Sequence, residues 1–276
     1  MDIRRSKIDT RYGDVAIYEV GNGDPLIFLG GYSQPFALAD YYGLIERLSE
    51  KYKVLLIDLM GYGNSDIAKE RWGFSKNLEV IDEVISRLAL HGFSIAGHSL
   101  GGNYALCYAL TNPDKVERIV LLDTYPYMNN LLLSINRIFF FFIQRMVKKA
   151  RKKGDITYKQ VAEKMGYTTG VEKYIPDEII TELENLATMN FLNQNVIDEL
   201  SDTAKTLKIA FKQKPVAVPC LAFCRSLTFG SVKRLKRKHF PDTEIIHLGK
   251  TSHNIHIDNL DVVAEKILSV SRRRIT

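Results

Sequence analysis

Six consecutive residues, Gly97, His98, Ser99, Leu100, Gly101 and Gly102, have the types and spacing that point to chemistry. They follow the apolar run Phe93–Ala96 and open the helix-like segment Asn103–Leu110. A strand that turns straight into a helix strains its central residue, and the residues two before and two after it must be small. Gly97 and Gly101 meet that demand around Ser99. Such a turn lifts the Ser99 hydroxyl off the carboxyl end of a sheet, over helix N-terminal N–H groups that attract developing negative charge. The chemistry is nucleophilic attack. A serine hydroxyl is a poor nucleophile at neutral pH, so it requires a general base within hydrogen-bond reach, and histidine suits that task.

Of the six histidines, His98 adjoins Ser99 but is expected to leave the turn in another direction. His91 and His239 end helix-like segments, where the dipole favours them, and His247 lies within a strand-like run. His253 and His256 remain, both in the loop after the last strand-like run.

The segments that must position these groups alternate in type. Ile3–Ile8 and Val15–Val20 read as an antiparallel ribbon around the turn Arg11–Asp14. Leu26–Leu29, Tyr52–Leu59, Phe93–Ala96 and Val116–Leu122 are short apolar runs, the mark of strands buried on both faces. The first ends in Gly30, Gly31 and Tyr32, the second in the tight turn Gly61–Asp66, and the fourth at Asp123. Helical spacing marks Tyr42–Leu48 and Leu78–Leu90 between them. From Tyr125 to about Lys214 the alternation gives way to helical patterns, and it returns with Val218–Phe223, Ser231–His239, Thr243–Leu248 and Leu260–Val270. The pattern predicts an α/β protein with a mostly parallel sheet covered by helices on both faces. Residues 1–124 and 215–276 form its core, and residues 125–214 a helical insertion above the sheet.

At 276 residues, one compact domain with an insertion is the natural expectation. Hydrophobic content of 46% and charged content of 25% are those of a soluble globular protein. The net charge of +6 thickens at Lys148–Lys153, Lys233–Lys238 and Arg272–Arg274, without the interleaved aromatics of a nucleic-acid module, so no nucleic-acid partner is expected. Cys107, Cys220 and Cys224 lack paired spacing and read as buried thiols in a reducing compartment. Met1–Lys7 precedes no apolar stretch, which argues against a signal peptide and for a cytoplasmic location. The apolar stretch Leu131–Val147 is broken by Arg137, Gln144 and Arg145 and is too short and polar to span a bilayer. It reads as a cap helix roofing the pocket, or as an apolar body with a basic end resting peripherally on a membrane through residues 131–153.

Taken together, the order of segments and the landmarks resemble the α/β-hydrolase fold family over nearly the whole chain. The landmarks are the turn around Ser99, Gly30 and Gly31 after the third strand, Asp58 with Gly61, Gly63, Ser65 and Asp66 after the fourth, and His253 near the C-terminus. The resemblance implies an eight-stranded sheet with a helical cap after the sixth strand, and Ser99 as the nucleophile. Among the two remaining histidines, the family's loop pattern matches His253, His256 and Asp258, which makes His253 the base and His256 a structural neighbour. Most of the family carries the third member, an acid, after the penultimate strand, but here that loop reads Cys224–Phe229 with no carboxylate. Some members place the acid after the preceding strand, which points to Asp123; the competing reading is that Asp123 merely caps a turn. Asp258, Asp198 and Asp202 are outside candidates. The backbone N–H groups of Leu100 and Tyr32 are the implied oxyanion donors, and Gly30 stands where the family usually has a histidine. No cofactor and no metal are implied. The expected reaction is hydrolysis of a carboxylic ester of a small or medium apolar substrate through an acyl-enzyme. Cleavage of a thioester, amide or carbon–carbon bond by the same triad, or a weakly catalytic ligand-binding role, are the alternatives.

Overall fold

A computed structural model describes residues 1–151, 160, 170–190 and 192–270 of the chain. Eight strands form one sheet in the order β1-β2-β4-β3-β5-β6-β7-β8. They are β1 (Arg4–Thr10), β2 (Gly13–Val20), β3 (Asp24–Leu29), β4 (Tyr52–Ile57), β5 (Phe93–His98), β6 (Val116–Leu122), β7 (Cys220–Cys224) and β8 (Thr243–His247). β2 runs antiparallel to both β1 and β4, and every other pairing is parallel. The apolar runs are central strands, and β5, β6 and β7 are buried along their whole length. Because side chains alternate across a strand, Ile27, Leu55, Ile95 and Leu121 pack into one apolar cluster while Phe28, Leu56, Ala96 and Val120 pack into the other.

Helices cover both faces. On one lie α2 (Phe74–Arg87) and α3 (Leu100–Thr111); on the other lie α1 (Ala37–Leu48) and the C-terminal helix Leu260–Ser269. Helix α2 starts a turn before the Leu78 of the apolar pattern, because its N-terminus is capped from far along the chain. Asp202 accepts hydrogen bonds from the N–H of Phe74 at 2.7 Å and of Ser75 at 3.3 Å. The helix Ser226–Lys238 likewise begins before the expected Ser231; of the apolar residues in its first turn, Leu227 is 69% exposed while Phe229 packs against the core.

Between β6 and β7, the described residues form helices and no strand: α4 (Asn130–Arg151), a short 3-10 turn at Gly170–Lys173, and the helices Asp177–Asn190, Gln194–Glu199 and Thr203–Ala210. Helix α4 sets Leu133, Phe140 and Ile143 against the core while Leu131, Ile135, Phe139, Phe142 and Met146 stay exposed. Among the described residues no helix is long and apolar enough to cross a membrane. The three cysteines are buried and unpaired with one another. The basic run Arg272–Arg274, like Lys152 and Lys153, lies outside the described residues.

The helix Gln194–Glu199 is tied to the sheet layer through a buried carboxylate. Glu199 accepts from Tyr62 at 2.5 Å, from Asn77 at 3.0 Å and from Tyr104. Burial pushes its carboxyl up to about 7, against the pull of those three donors. The unfolded chain ionises near 4.5. The stabilisation is therefore complete below pH 4.5 and is lost as pH rises through 7. Replacing Glu199 with Gln is expected to flatten the stability profile between those limits by on the order of 2 kcal/mol, read by urea unfolding at several pH values. An unchanged slope would show that Glu199 ionises as freely in the folded chain as in the unfolded one.

Candidate active site

The strand-to-helix turn at Ser99 has the strain its sequence predicts. Ser99 has φ 52° and ψ −113°, a conformation few side-chain-bearing residues adopt. A Cβ on Gly97 would sit 2.2 Å from the Gly101 carbonyl carbon, and one on Gly101 would sit 2.1 Å from the Leu29 carbonyl oxygen. Both positions accept glycine alone. The turn places Ser99 at the carboxyl edge of β5 with Leu100 as the first residue of α3, so the Leu100 N–H belongs to the open first turn of the helix.

His253 reaches the same edge from the loop after β8. Its Nδ1 lies 2.6 Å from Asp123 Oδ2, and its ring and Ser99 line a common cavity of about 70 Å³. Asp123 follows β6, is fully buried and has φ 45°. Each of its oxygens is shared. Oδ2 also accepts from Arg225 Nε at 2.6 Å, while Oδ1 accepts from Thr228 Oγ1 at 2.5 Å and from the Arg225 N–H at 3.3 Å. Burial pushes the carboxyl up, but the donors His253, Thr228 and Arg225 outweigh it and hold Asp123 below the ordinary carboxylate value. With an ionised carboxylate on Nδ1, the imidazole carries its proton there and turns Nε2, the basic nitrogen, outward.

The other carboxylates are engaged elsewhere. Asp258 accepts from the Ser252 N–H at 3.0 Å and from Thr251 Oγ1 at 3.1 Å, which shapes the loop leading into His253. Asp198 pairs with Arg137 at 2.7 Å, and Asp202 caps α2. His256 is buried, with Nε2 3.4 Å from Asp40 Oδ2. The turn after β4 is structural: Asp58 accepts from the N–H groups of Ala37 and Asn64, each at 3.1 Å, and from the Tyr18 hydroxyl at 2.8 Å.

The cavity around Ser99 and His253 is bordered by Phe36, Ala39, Val171 and Leu183, with Asp40 at its margin and no lysine or arginine among its lining residues. Val171 and Leu183 come from the segment between β6 and β7, so that segment does face the cavity, but through its later elements. Helix α4, expected as the pocket roof, touches this edge through Phe140, whose ring lies 5.0 Å from that of Tyr32. Its apolar residues are divided between the core and solvent, a division the densely apolar sequence did not reveal.

Across nearly the whole chain, the structure of the ligand-free epoxide hydrolase CorEH matches with a TM-score of 0.74, covering 97% of this chain and 98% of that one at 20% identity. A family model described as the alpha/beta hydrolase fold matches residues 24–158. The chain has the α/β-hydrolase fold. Among its relatives, a soluble epoxide hydrolase of Corynebacterium sp. (strain C12) is 34% identical over 130 residues, covering 44% of each chain. A pimeloyl-[acyl-carrier protein] methyl ester esterase of Nitrosomonas europaea is 33% identical over 113 residues, covering 41% of this chain and 42% of the relative. These matches thus span less than half the length of those relatives.

Three partners of the site had no functional reading in the sequence. Arg225 follows β7 and Thr228 lies in the first turn of the next helix, a stretch noted in the sequence only for its lack of a carboxylate, and they hold Asp123. Gln34 lies three residues after Gly31 and bonds back to its N–H at 2.5 Å, a local turn signal that was legible in principle.

Proposed function

We propose that the chain is a cofactor-independent serine hydrolase that cleaves carboxylic esters of small or medium apolar acids and alcohols. The observation that carries this reading is the strained Ser99 sharing one cavity with an imidazole whose Nδ1 is held 2.6 Å from a buried carboxylate. In this reading Ser99 Oγ attacks the ester carbonyl carbon and its proton passes to His253 Nε2. The oxyanion is held by the N–H groups of Leu100 and Tyr32. His253 then protonates the departing alkoxide, and water repeats the sequence to release the acid. Asp123 keeps the imidazole in its Nδ1–H form and stabilises the imidazolium. Residues 125–214 act as a cap, with Val171 and Leu183 closing the cavity over the acyl chain.

The serine also argues against the reaction named for the epoxide hydrolase relative. An epoxide carbon opened by a serine hydroxyl would leave an ether, which water does not cleave, whereas an acyl-serine is an ester that it does. The small apolar cavity without a cationic residue favours uncharged substrates over anionic ones. A fluorophosphonate probe is expected to label Ser99 alone, found as a single mass adduct on the tryptic peptide that contains it. p-Nitrophenyl acetate and butyrate should turn over faster than the laurate. Absence of an adduct on folded protein, or an adduct on another serine, would reject the reading.

A further inference from the structure

A line of hydrogen bonds runs beside Ser99, along the same cavity, from the loop after β3 to the loop that carries His253. The Gly31 N–H donates to Gln34 Oε1 at 2.5 Å. Gln34 Nε2 lies 3.2 Å from His98 Nδ1, and His98 Nε2 lies 2.9 Å from the carbonyl oxygen of His253. Amide orientations and histidine tautomers are normally ambiguous, yet the two ends of this line are backbone groups with fixed roles. Gly31 N–H can only donate, so the amide oxygen faces it and Nε2 donates to His98 Nδ1. The His253 carbonyl can only accept, so His98 Nε2 carries the proton. Each end demands the same answer: His98 is a neutral imidazole in the Nε2–H form.

Its surroundings agree. His98 is buried, and its ring lies 4.5 Å from that of His253 and 4.8 Å from that of His256. Burial pulls its pKa well below the ordinary histidine value, and the neighbouring His253, His256 and Arg225 pull it the same way. The Tyr41 hydroxyl accepts from the backbone N–H of His98 at 3.0 Å and donates to the Leu29 carbonyl at 2.9 Å, which fixes the β5 edge beneath the ring. A Cβ on Gly31 would meet Gln34 Oε1 at 2.7 Å and His98 Nδ1 at 2.9 Å, so the line is packed tightly against that residue.

We propose that Gln34 and His98 are positioning residues that lock the oxyanion loop to the base-bearing loop alongside Ser99. The proposal rests on the serine hydrolase reading. The relay engages the Gly31 N–H at the edge of the cavity, and in the hydrolase reading the next peptide, that of Tyr32, serves the developing oxyanion. At the other end it fixes the backbone from which the His253 imidazole swings. Gly30 stands where the family resemblance expects a histidine, and the relay supplies the bracing that such a side chain would give. His98 itself exchanges no proton with substrate.

The test uses the full-length chain labelled with 15N-histidine and long-range 1H–15N correlation spectra. His98 is expected to keep the neutral Nε2–H pattern between about pH 5 and pH 9, a range in which an unperturbed histidine titrates. An Nδ1–H pattern, or an imidazolium within that range, overturns the proposal. Gln34→Glu replaces the donor on His98 Nδ1 with an acceptor, so His98 is expected to gain a second proton and to titrate within the range. Gln34→Leu keeps the volume but cuts the line, and kcat for p-nitrophenyl butyrate is expected to fall about 10- to 100-fold with KM within about twofold. An unchanged kcat in Gln34→Leu, measured beside an active parent, defeats the relay alone. A parent that hydrolyses no ester defeats the hydrolase reading instead, and the tautomer is read without turnover in either case.

Discussion

Asp123→Asn is expected to lower kcat by about four orders of magnitude, the loss seen when the triad aspartate of a serine protease becomes an amide. The reason lies in how fully the carboxylate is used. Both oxygens of Asp123 accept from donors, Oδ2 from His253 and Arg225 and Oδ1 from Thr228 and the Arg225 N–H. An amide must turn its NH2 toward one of these sets. Turned toward Oδ2's partners, it faces the His253 ring with a donor and selects the wrong tautomer; turned toward the others, it still offers no charge to an imidazolium. Stopped-flow measurement of p-nitrophenyl butyrate hydrolysis checks the outcome. A loss below about tenfold, with Ser99→Ala far more damaging, would take Asp123 out of the mechanism and leave it as a structural anchor for Arg225.

That a carboxylate after β6 meets His253 while Arg225 follows β7 has a simple geometric basis. The two strands are parallel neighbours in register, Leu122 beside Phe223, and the Asp123 N–H donates to the Phe223 carbonyl at 2.9 Å. Adjacent strands lie about 4.8 Å apart, so a side chain at either carboxyl end reaches the same imidazole. Moving the carboxylate one strand over changes the chain position of the acid more than its place in space. The position it leaves is then open to Arg225, whose Nε donates to the same Asp123 Oδ2 that His253 meets and favours the ionised carboxylate.

Much of this was legible in the sequence because it follows from periodicity and from glycine. Runs such as Leu26–Leu29 and Val116–Leu122 are apolar on both faces, and a strand of that kind belongs in the middle of a parallel sheet. Gly97 and Gly101 around Ser99 announce a turn that tolerates no Cβ. Once those strands are parallel, their ends share one edge, and Ser99, Asp123 and His253 come together there. What stayed hidden depends on side-chain reach across long separations. Nothing local marks Asp202 as the cap of α2, or Glu199 as the meeting point of Tyr62, Asn77 and Tyr104. The division of α4 into a core-packed and an exposed set was hidden for a related reason: a stretch as densely apolar as Ile138–Ile143 carries no period from which to read a face.

Gly101→Ala is expected to cost about 3 kcal/mol or more of unfolding free energy, the upper range for forcing extra volume into a packed site. Its Cβ would stand 2.1 Å from the Leu29 carbonyl oxygen and 2.6 Å from that of Gly30, both backbone atoms at the end of β3. Neither can rotate aside as a side chain could. Relief requires α3 to lift from the sheet, carrying Leu100 at its first turn with it. The matching control is Gly30→Ala, where a Cβ meets nothing within 4 Å and φ is not in the left-handed region. That change is expected to leave stability within about 0.5 kcal/mol of the parent, as surface substitutions do. Urea denaturation of the two variants beside the parent reads both effects. If Gly101→Ala proved as mild as Gly30→Ala, close contact between α3 and the end of β3 would not be what demands a glycine two residues after Ser99.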